Sequence, residues 1–431
     1  MRKPTGIESL YIDFDAFFAN AEKLLVPALR DRPVGVVPLP SEHTSLIACC
    51  YQSRLSGVKR GMSVAEARSA CPDIALVLAR HDEYVRLHHR ILEEINRHLP
   101  VRRVWSIDEM ECDLLGSEQQ RGLQIARQVR DGLAENIGPL LTPSIGLGPN
   151  QFLAKVAAEM EKPAGLTLLH PETLPEQILH LPLTDLPGIS SRMLARLHVA
   201  GITSMAGLWA TSPKQARHIW RSVEGERLWL QLHGYAVSRP ETVRRMFGHG
   251  RVLARGWQTP SKARECLRLL TAKAAQRLRR EGYTASAADI SLKTSDGTYW
   301  SGTQSFAPSR DDRTFLQAAS ILFDLGAEKL KGARFQNIYV MLHGLRRPGE
   351  TSGDLFEHGA SHTDRQRWER ITDTMDSLNT RYGGGIISLG IRTELPGGYA
   401  GAKIAFGRVP DLKDFDAPAR PHTKRVPHPE S

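Results

Sequence analysis

The chain has 431 residues, 41% apolar and 24% charged, with a net charge of +10 and a pI near 9.5. That length exceeds one ordinary hydrophobic core, so several domains are expected, and the composition excludes disordered and fibrous classes. The basic balance favours polyanionic partners. No apolar run is long enough to predict a membrane span, and no apolar signal core follows Met1-Arg2-Lys3-Pro4. Five cysteines without a C-x-x-C pair argue against a disulfide framework or zinc site and for reduced thiols in the cytoplasm.

The first strong element is Tyr11-Ile12-Asp13-Phe14-Asp15-Ala16-Phe17-Phe18, an apolar run that opens as a buried strand carrying carboxylates. Ala16–Leu29 then reads as a short helix, and Pro33–Val37 and Leu46–Cys50 as strands. Ser63–Ala70 reads as a helix opened by a capping box of Ser63 with Glu66. Together these predict a small α/β insert between about 17 and 80. Glu83–Leu99 places Tyr84, Leu87, Ile91, Ile95 and Leu99 at helical spacing and stops at Pro100. Val104-Trp105-Ser106-Ile107-Asp108-Glu109-Met110-Glu111 follows as a second acidic strand. Leu123–Ile137 reads as an amphipathic helix, Pro143–Gly148 as a strand and turn, and Asn150–Glu161 as a helix. This order predicts an α/β layer with a mixed sheet.

From about 173 to 238 the pattern is helical and short-segmented. Leu186-Pro187-Gly188-Ile189-Ser190, then Ser191–Ala200 and Gly201-Ile202, has the form of a helix-hairpin-helix. Gly188 can leave N–H groups open for a DNA phosphate; the same pattern also suits a packing corner. Residues 245–345 hold 16 Lys/Arg against 8 Asp/Glu. There, helix Lys262–Glu281 and strands Ala287–Thr294, Thr298–Phe306 and Asn337–Leu342 predict a β-α-β-β-α-β module. The basic helix, with Arg277 and Arg280 among its charges, is a candidate backbone-binding surface. Beyond 348 one helix is expected at Thr363–Tyr382, and the Pro- and His-rich end Ala417–Ser431 reads as disordered.

Carboxylates inside apolar strands are costly unless they are paired or hold a cation. Two such strands side by side would gather Asp13, Asp108 and Glu109 around one point. Hard carboxylate oxygens suit Mg²⁺. Two such ions about 4 Å apart can hold the attacking and leaving oxygens of a phosphoryl transfer. For either segment alone, a turn-forming Asp or a partner for Arg is an equal alternative.

Five motifs then stand in order: 11–19; Tyr51-Gln52-Ser53-Arg54 before Gly57–Met62; Ser106-Ile107-Asp108-Glu109; Ser144-Ile145-Gly146 with Asn150–Lys155; and Lys162-Pro163-Ala164-Gly165. With them the chain resembles the Y-family translesion DNA polymerases, on the UmuC/DinB branch, from about residue 8 to 345, with a UmuC-like match to about 415. The resemblance implies a multidomain α/β and α+β right hand. Its palm would be 1–16 and 83–172, its fingers 17–82, its helix-hairpin-helix thumb 173–238 and its little finger 245–345, followed by a tail at 348–431.

The resemblance also implies residue roles. Asp13, Asp108, Glu109 and the Phe14 carbonyl match ligands of two Mg²⁺ ions, and Asp15 a mainly structural acid. Tyr51, Arg54 and Lys162 match triphosphate contacts. Phe17 and Phe18 match nucleotide contacts, with Phe18 at the steric-gate position against ribonucleotides. Gly188, Ser190, Arg277 and Arg280 would meet DNA. The implied activity is error-prone, template-directed synthesis from dNTPs on primer-template DNA, without proofreading, in the SOS response to DNA damage. Leu355 and Phe356 resemble a docking peptide for a sliding clamp, and an UmuD-like or RecA-like partner is expected. Ala16, Gln151 and Ala164 depart from the pattern. The alternative is a catalytically weak DNA-binding accessory subunit on the same fold; retention of all three carboxylates favours the enzyme.

Overall fold

A computed structural model of the chain describes residues 2–39, 42, 44–238, 243–347, 360–382, 386–390 and 409. They fall into two compact units, within Met1–Pro240 and within Glu241–Ala402.

The first unit begins with β1 (Ser9–Phe14), α1 (Phe17–Leu25), β2 (Val34–Val37), β3 (Ala48–Cys49), α2 (Tyr51–Leu55), α3 (Val64–Ala70) and β4 (Ala75–Leu78). The predicted capping box is present, with Ser63 and Glu66 each accepting from the other's backbone N–H. The first helix, expected over Ala16–Leu29, ends earlier, at Leu25 before a 3-10 turn at Pro27–Leu29. Strands β3-β2-β4 form a small sheet in which β4 runs parallel to β2.

Next come α4 (His81–His98), β5 (Val101–Val104), β6 (Glu109–Asp113), α5 (Glu118–Asn136), β7 (Pro143–Gly148), α6 (Gln151–Met160) and β8 (Leu166–Leu168). The central sheet has the order β5-β6-β1-β7-β8 and is mixed, β8 being parallel to β7. The second acidic segment is not one strand. It is a hairpin, β5 and β6 joined through Trp105–Asp108. Trp105 and Ser106 both donate backbone N–H to the Glu109 carbonyl at 2.9 and 3.3 Å. The Ser106 hydroxyl takes the Asp108 N–H at 3.4 Å and donates to the Asp108 carboxylate. Such local side-chain bonds offer the backbone an alternative to the ladder.

Strand alternation sorts the sheet's two faces. Leu10, Ile12, Met110, Cys112, Ile145 and Leu147 are fully buried on one face, where Gly122 of α5 lies against Leu147. On the other face stand Asp13, Tyr11 and their direct partners Glu109, Glu111, Ser144 and Gly146. There α6 lies flush on the sheet. A Cβ at Gly146 would come within 2.0 Å of the Ala154 carbonyl and 2.2 Å of the Ala158 nitrogen.

The unit closes with α7 (Ser191–Val199), α8 (Met205–Trp209), α9 (Pro213–Trp220) and α10 (Val223–Leu232). Their core joins α6 through Phe152, Leu153, Val156 and Leu228.

The second unit holds β9 (Met246–Val252), α11 (Pro260–Arg280), β10 (Ala285–Thr294), β11 (Tyr299–Ser309), α12 (Asp312–Lys329), β12 (Phe335–His343) and α13 (Ala360–Tyr382). This is the predicted β-α-β-β-α-β module plus one helix. Its sheet order is β11-β10-β12-β9, all antiparallel. Both α11 and α12 pack on one face, against Ile290, Leu292, Ile338 and Val340. The tail helix α13 is tied to this module. The buried Arg279 guanidinium on α11 bridges Asp312 (2.6 Å) and Asp376 of α13 (2.6 Å), and Arg313 pairs with Asp364 at 2.6 Å.

Candidate active site

Asp13 on β1 and Glu109 on β6 are direct cross-strand partners. Phe14 N–H donates to the Asp108 carbonyl at 2.9 Å, so the two acidic segments are joined through their own backbones. The carboxylates that converge within 4.8 Å of one another are Asp13, Glu109 and Glu159 of α6. Asp108 stands one residue from Glu109, its carboxylate turned to the Ser106 hydroxyl. Two of the expected three, Asp13 and Glu109, thus converge together with Glu159, while the Asp108 carboxylate is held aside by Ser106. Glu159 was not foreseen, because an acid three residues before Lys162 reads as an ordinary helix ion pair.

Two ammonium groups balance this charge. Lys162 Nζ lies 2.7 Å from Asp13 Oδ1 and 2.9 Å from Glu159 Oε1. Lys155 pairs with Glu109, its Nζ also 3.3 Å from the Tyr11 hydroxyl. Burial pushes the Asp13 carboxyl up to about 8, against the pull of Lys162. Burial also raises Asp108, only partly offset by the Ser106 hydroxyl. Burial pulls the Lys162 ammonium down, yet Asp13 and Glu159 carry it above the ordinary lysine value. A site that holds carboxylates together at such a penalty fits a divalent cation. Its donors are hard oxygens, the type that Mg²⁺ takes.

Asp15 does not join the cluster. Fully buried, it accepts from Ser144 Oγ at 2.9 Å and from the Ala164 N–H at 2.7 Å. It thereby ties β1 to β7 and to the loop after Lys162. Ala164 adopts φ 57 there, a left-handed conformation that an alanine takes at some cost.

The insert between β1 and α4 supplies the opposite wall. Ala16, at φ 45, caps α1 and sends the next two rings apart. Phe17 is buried, edge-on to Phe14 at 6.0 Å. Phe18 is half-buried and stacks on Tyr84 of α4, with centroids 4.7 Å apart at 21°. Tyr84 in turn donates its hydroxyl to the buried Glu22 at 2.7 Å, where Arg80 also binds. One turn of α2 presents Tyr51 and Arg54 together, the guanidinium 4.4 Å over the Tyr51 ring. Burial raises the Tyr51 phenol, and the nearby charge of Asp15 raises it further.

Gly188 and Ser190 precede α7 as expected, Gly188 at φ 92 with open space about it. They line a groove of about 680 Å³ that also includes Lys155 and Glu159. The groove thus leads from the carboxylates to the start of α7.

In the second unit Arg280 is exposed, while Arg277 is half-buried with a guanidinium nitrogen 3.4 Å from His249 Nε2. Arg279, on the same helix, is spent on α13 and is no surface group. Among the described residues, no helix covers the sheet face opposite α11 and α12. That face carries Ser291, Lys293, Ser301, Thr303 and Tyr339, whose ring lies over Gly250. Leu355 and Phe356 lie outside the described residues.

A buried acidic sheet centre between an aromatic-lined α/β insert and a helical segment with an open turn defines a right-hand nucleotide polymerase. The chain belongs to the impB/mucB/samB family, the Y-family polymerases. The family model matches residues 12–159, and that of the family's C-terminal domain residues 244–355. DNA polymerase IV of Moorella thermoacetica is 32% identical over 388 residues, 88% of this chain and 94% of that protein. DNA polymerase IV of Caulobacter vibrioides is 28% identical over 387 residues, 88% and 93% of the two chains. The fold is that of a Y-family DNA polymerase chimera of Dbh with Dpo4, with a TM-score of 0.68 at 22% identity over 79% of this chain and 99% of that one. DinB from Sulfolobus solfataricus gives 0.52 at 23% identity, over 78% and 98%.

Proposed function

We propose that this chain is a translesion DNA polymerase that adds dNTPs to a primer 3′ end in a template-directed, error-prone and distributive manner, without proofreading. The observation that carries the reading is the pairing of Asp13 with Glu109 across β1 and β6, with Asp108 beside them and Phe18, Tyr51, Arg54 and Lys162 around them. Asp13, Asp108, Glu109 and the Phe14 carbonyl would hold magnesium, two ions in this reading. Magnesium at such a site supplies activation of the 3′-hydroxyl and neutralises the triphosphate.

The chain's own groups do the rest. Lys162, paired with Asp13, can exchange that partner for a triphosphate oxygen while Glu159 keeps it in reach. Arg54 offers a fork of donors, Lys162 a point charge. Phe18, braced by Tyr84, fills the space a 2′-hydroxyl would need. The palm, fingers, thumb and little finger would be residues 1–16 with 83–172, 17–82, 173–238 and 245–345. The primer would follow the groove past Gly188 and Ser190, and duplex would lie on the second unit through Arg280, Arg277 and the sheet face opposite α11 and α12. A role in the SOS response, docking on a sliding clamp through Leu355-Phe356 and an UmuD-like or RecA-like partner complete the proposal. A catalytically weak accessory subunit is disfavoured by the retained carboxylates.

The test is primer extension on undamaged and abasic templates with Mg²⁺ and single dNTPs. Wild type should extend both, and Asp108→Ala should abolish extension while binding primer-template DNA nearly as wild type does. Extension by a folded Asp108→Ala protein would remove the metal assignment.

A further inference from the structure

The hairpin that carries Asp108 is held from outside the sheet. His88 lies on the inner face of α4, 1% exposed, and its Nδ1 is 2.7 Å from the Ile107 carbonyl oxygen. A carbonyl only accepts, so Nδ1 must carry the proton. Burial favours the neutral ring that this tautomer requires, with the imidazole held down to about 4. The neighbouring peptide is tied the other way, by Phe14 N–H to the Asp108 carbonyl at 2.9 Å. Carbonyls 107 and 108 are therefore gripped in succession, one by α4 and one by β1. Between them sits the Asp108 Cα, and with both carbonyls fixed the direction of its Cα–Cβ bond is set.

We propose that His88 is a positioning residue for nucleotide addition, fixing the peptide before Asp108 and with it the Cα–Cβ direction from which the carboxylate, now on the Ser106 hydroxyl, can turn to the metal site beside Asp13 and Glu109. The inference rests on the polymerase reading. His88 touches no substrate. It acts through a backbone carbonyl, and no feature of its helical sequence distinguishes it from a core histidine. A small misplacement of a reacting group can lower rate by about a hundredfold, so one hydrogen bond at this point has leverage.

The test compares wild type with His88→Leu, which fills space without a donor, and His88→Asn, whose amide nitrogen can occupy the place of Nδ1. Steady-state extension of a primed template is measured against dNTP and against Mg²⁺. His88→Leu should lower kcat between about tenfold and a hundredfold and raise the Mg²⁺ needed for half-maximal rate. The dNTP KM should hold within about twofold, since Tyr51, Arg54 and Lys162 are untouched. His88→Asn should recover most of kcat. Wild-type kcat in His88→Leu, or a folded His88→Asn no better than His88→Leu, overturns the proposal. Should His88→Leu not fold, ¹⁵N spectra of histidine-labelled wild type decide. A ring protonated at Nδ1 supports the proposal, and a neutral Nε2–H ring, which leaves Nδ1 without a proton to donate, overturns it. An inactive wild type would instead fail the polymerase reading and leave the ring spectrum to be read independently.

Discussion

Phe18 is structural through its stacking on Tyr84, and in the proposed reading it is selective as well. Tyr84 is anchored by Glu22 and through it by Arg80. The ring's position is thus fixed on the side away from the carboxylates. Phe18→Ala should admit ribonucleotides, raising the ribo- to deoxyribonucleotide incorporation ratio on one template by at least about tenfold; an unchanged ratio would leave Phe18 as core only. His249 makes a different prediction. Burial, then Arg277 and Lys273, hold its imidazole down to about 4. The folded value lies below the unfolded one, about 6.5. Between the two, the unfolded chain binds more protons, so the contribution to stability is present above pH 6.5 and is lost as pH falls toward 4. Urea midpoints of the second unit should therefore drop from pH 7.5 to 5. His249→Gln should shrink that drop, and an equal drop in both proteins would exclude His249 as its source.

Among the elements, α11 carries two kinds of arginine. Arg279 is buried between Asp312 and Asp376, and its loss strands Asp312, whose carboxyl burial already raises. Breaking a buried pair from one side costs about 3–5 kcal/mol, so Arg279→Leu should destabilise the second unit by roughly 3 kcal/mol in urea unfolding. Arg280, exposed, belongs to the proposed DNA surface. Arg280→Glu should weaken binding equally across unrelated sequences and lower the slope of log K against log salt by about 0.9; an unmoved slope would mean the duplex runs elsewhere. Both arginines read alike in a basic helix, because sequence shows charge but not which partner lies across the fold. The same limit hid β4 and β8. Each is short and parallel to a strand distant in sequence, so no hairpin signal marks it. It hid Glu159 as well. The Ser63–Glu66 capping box, the strand β1 and the periodic α4 were legible because their determinants are local. Asp108 was misplaced in a strand because the Ser106 bonds that make the turn compete with an apolar pattern that favours a strand.

At the scale of the whole molecule, the proposed catalytic residues fall within the first unit and the excess of basic charge within the second. The order of the parts was readable from the five motifs and the switch from α/β to short helices to β-α-β-β-α-β. The docking of α13 on the second unit was not, since it depends on the buried Arg279 bridge. The contact at Gly146 has a consequence for how such a centre can change. No side chain stands between α6 and the sheet there, so the separation of Glu159 and Lys155 from Asp13 is set by the radii of backbone atoms. At that contact there is no side chain to shorten or lengthen, and any Cβ at 146 would push α6 away from the sheet. Diversification must enter from the facing wall, where Ala16, Phe18, Tyr51 and Arg54 meet the cleft through replaceable side chains: one jaw of this vice is immovable, and only the other can be adjusted.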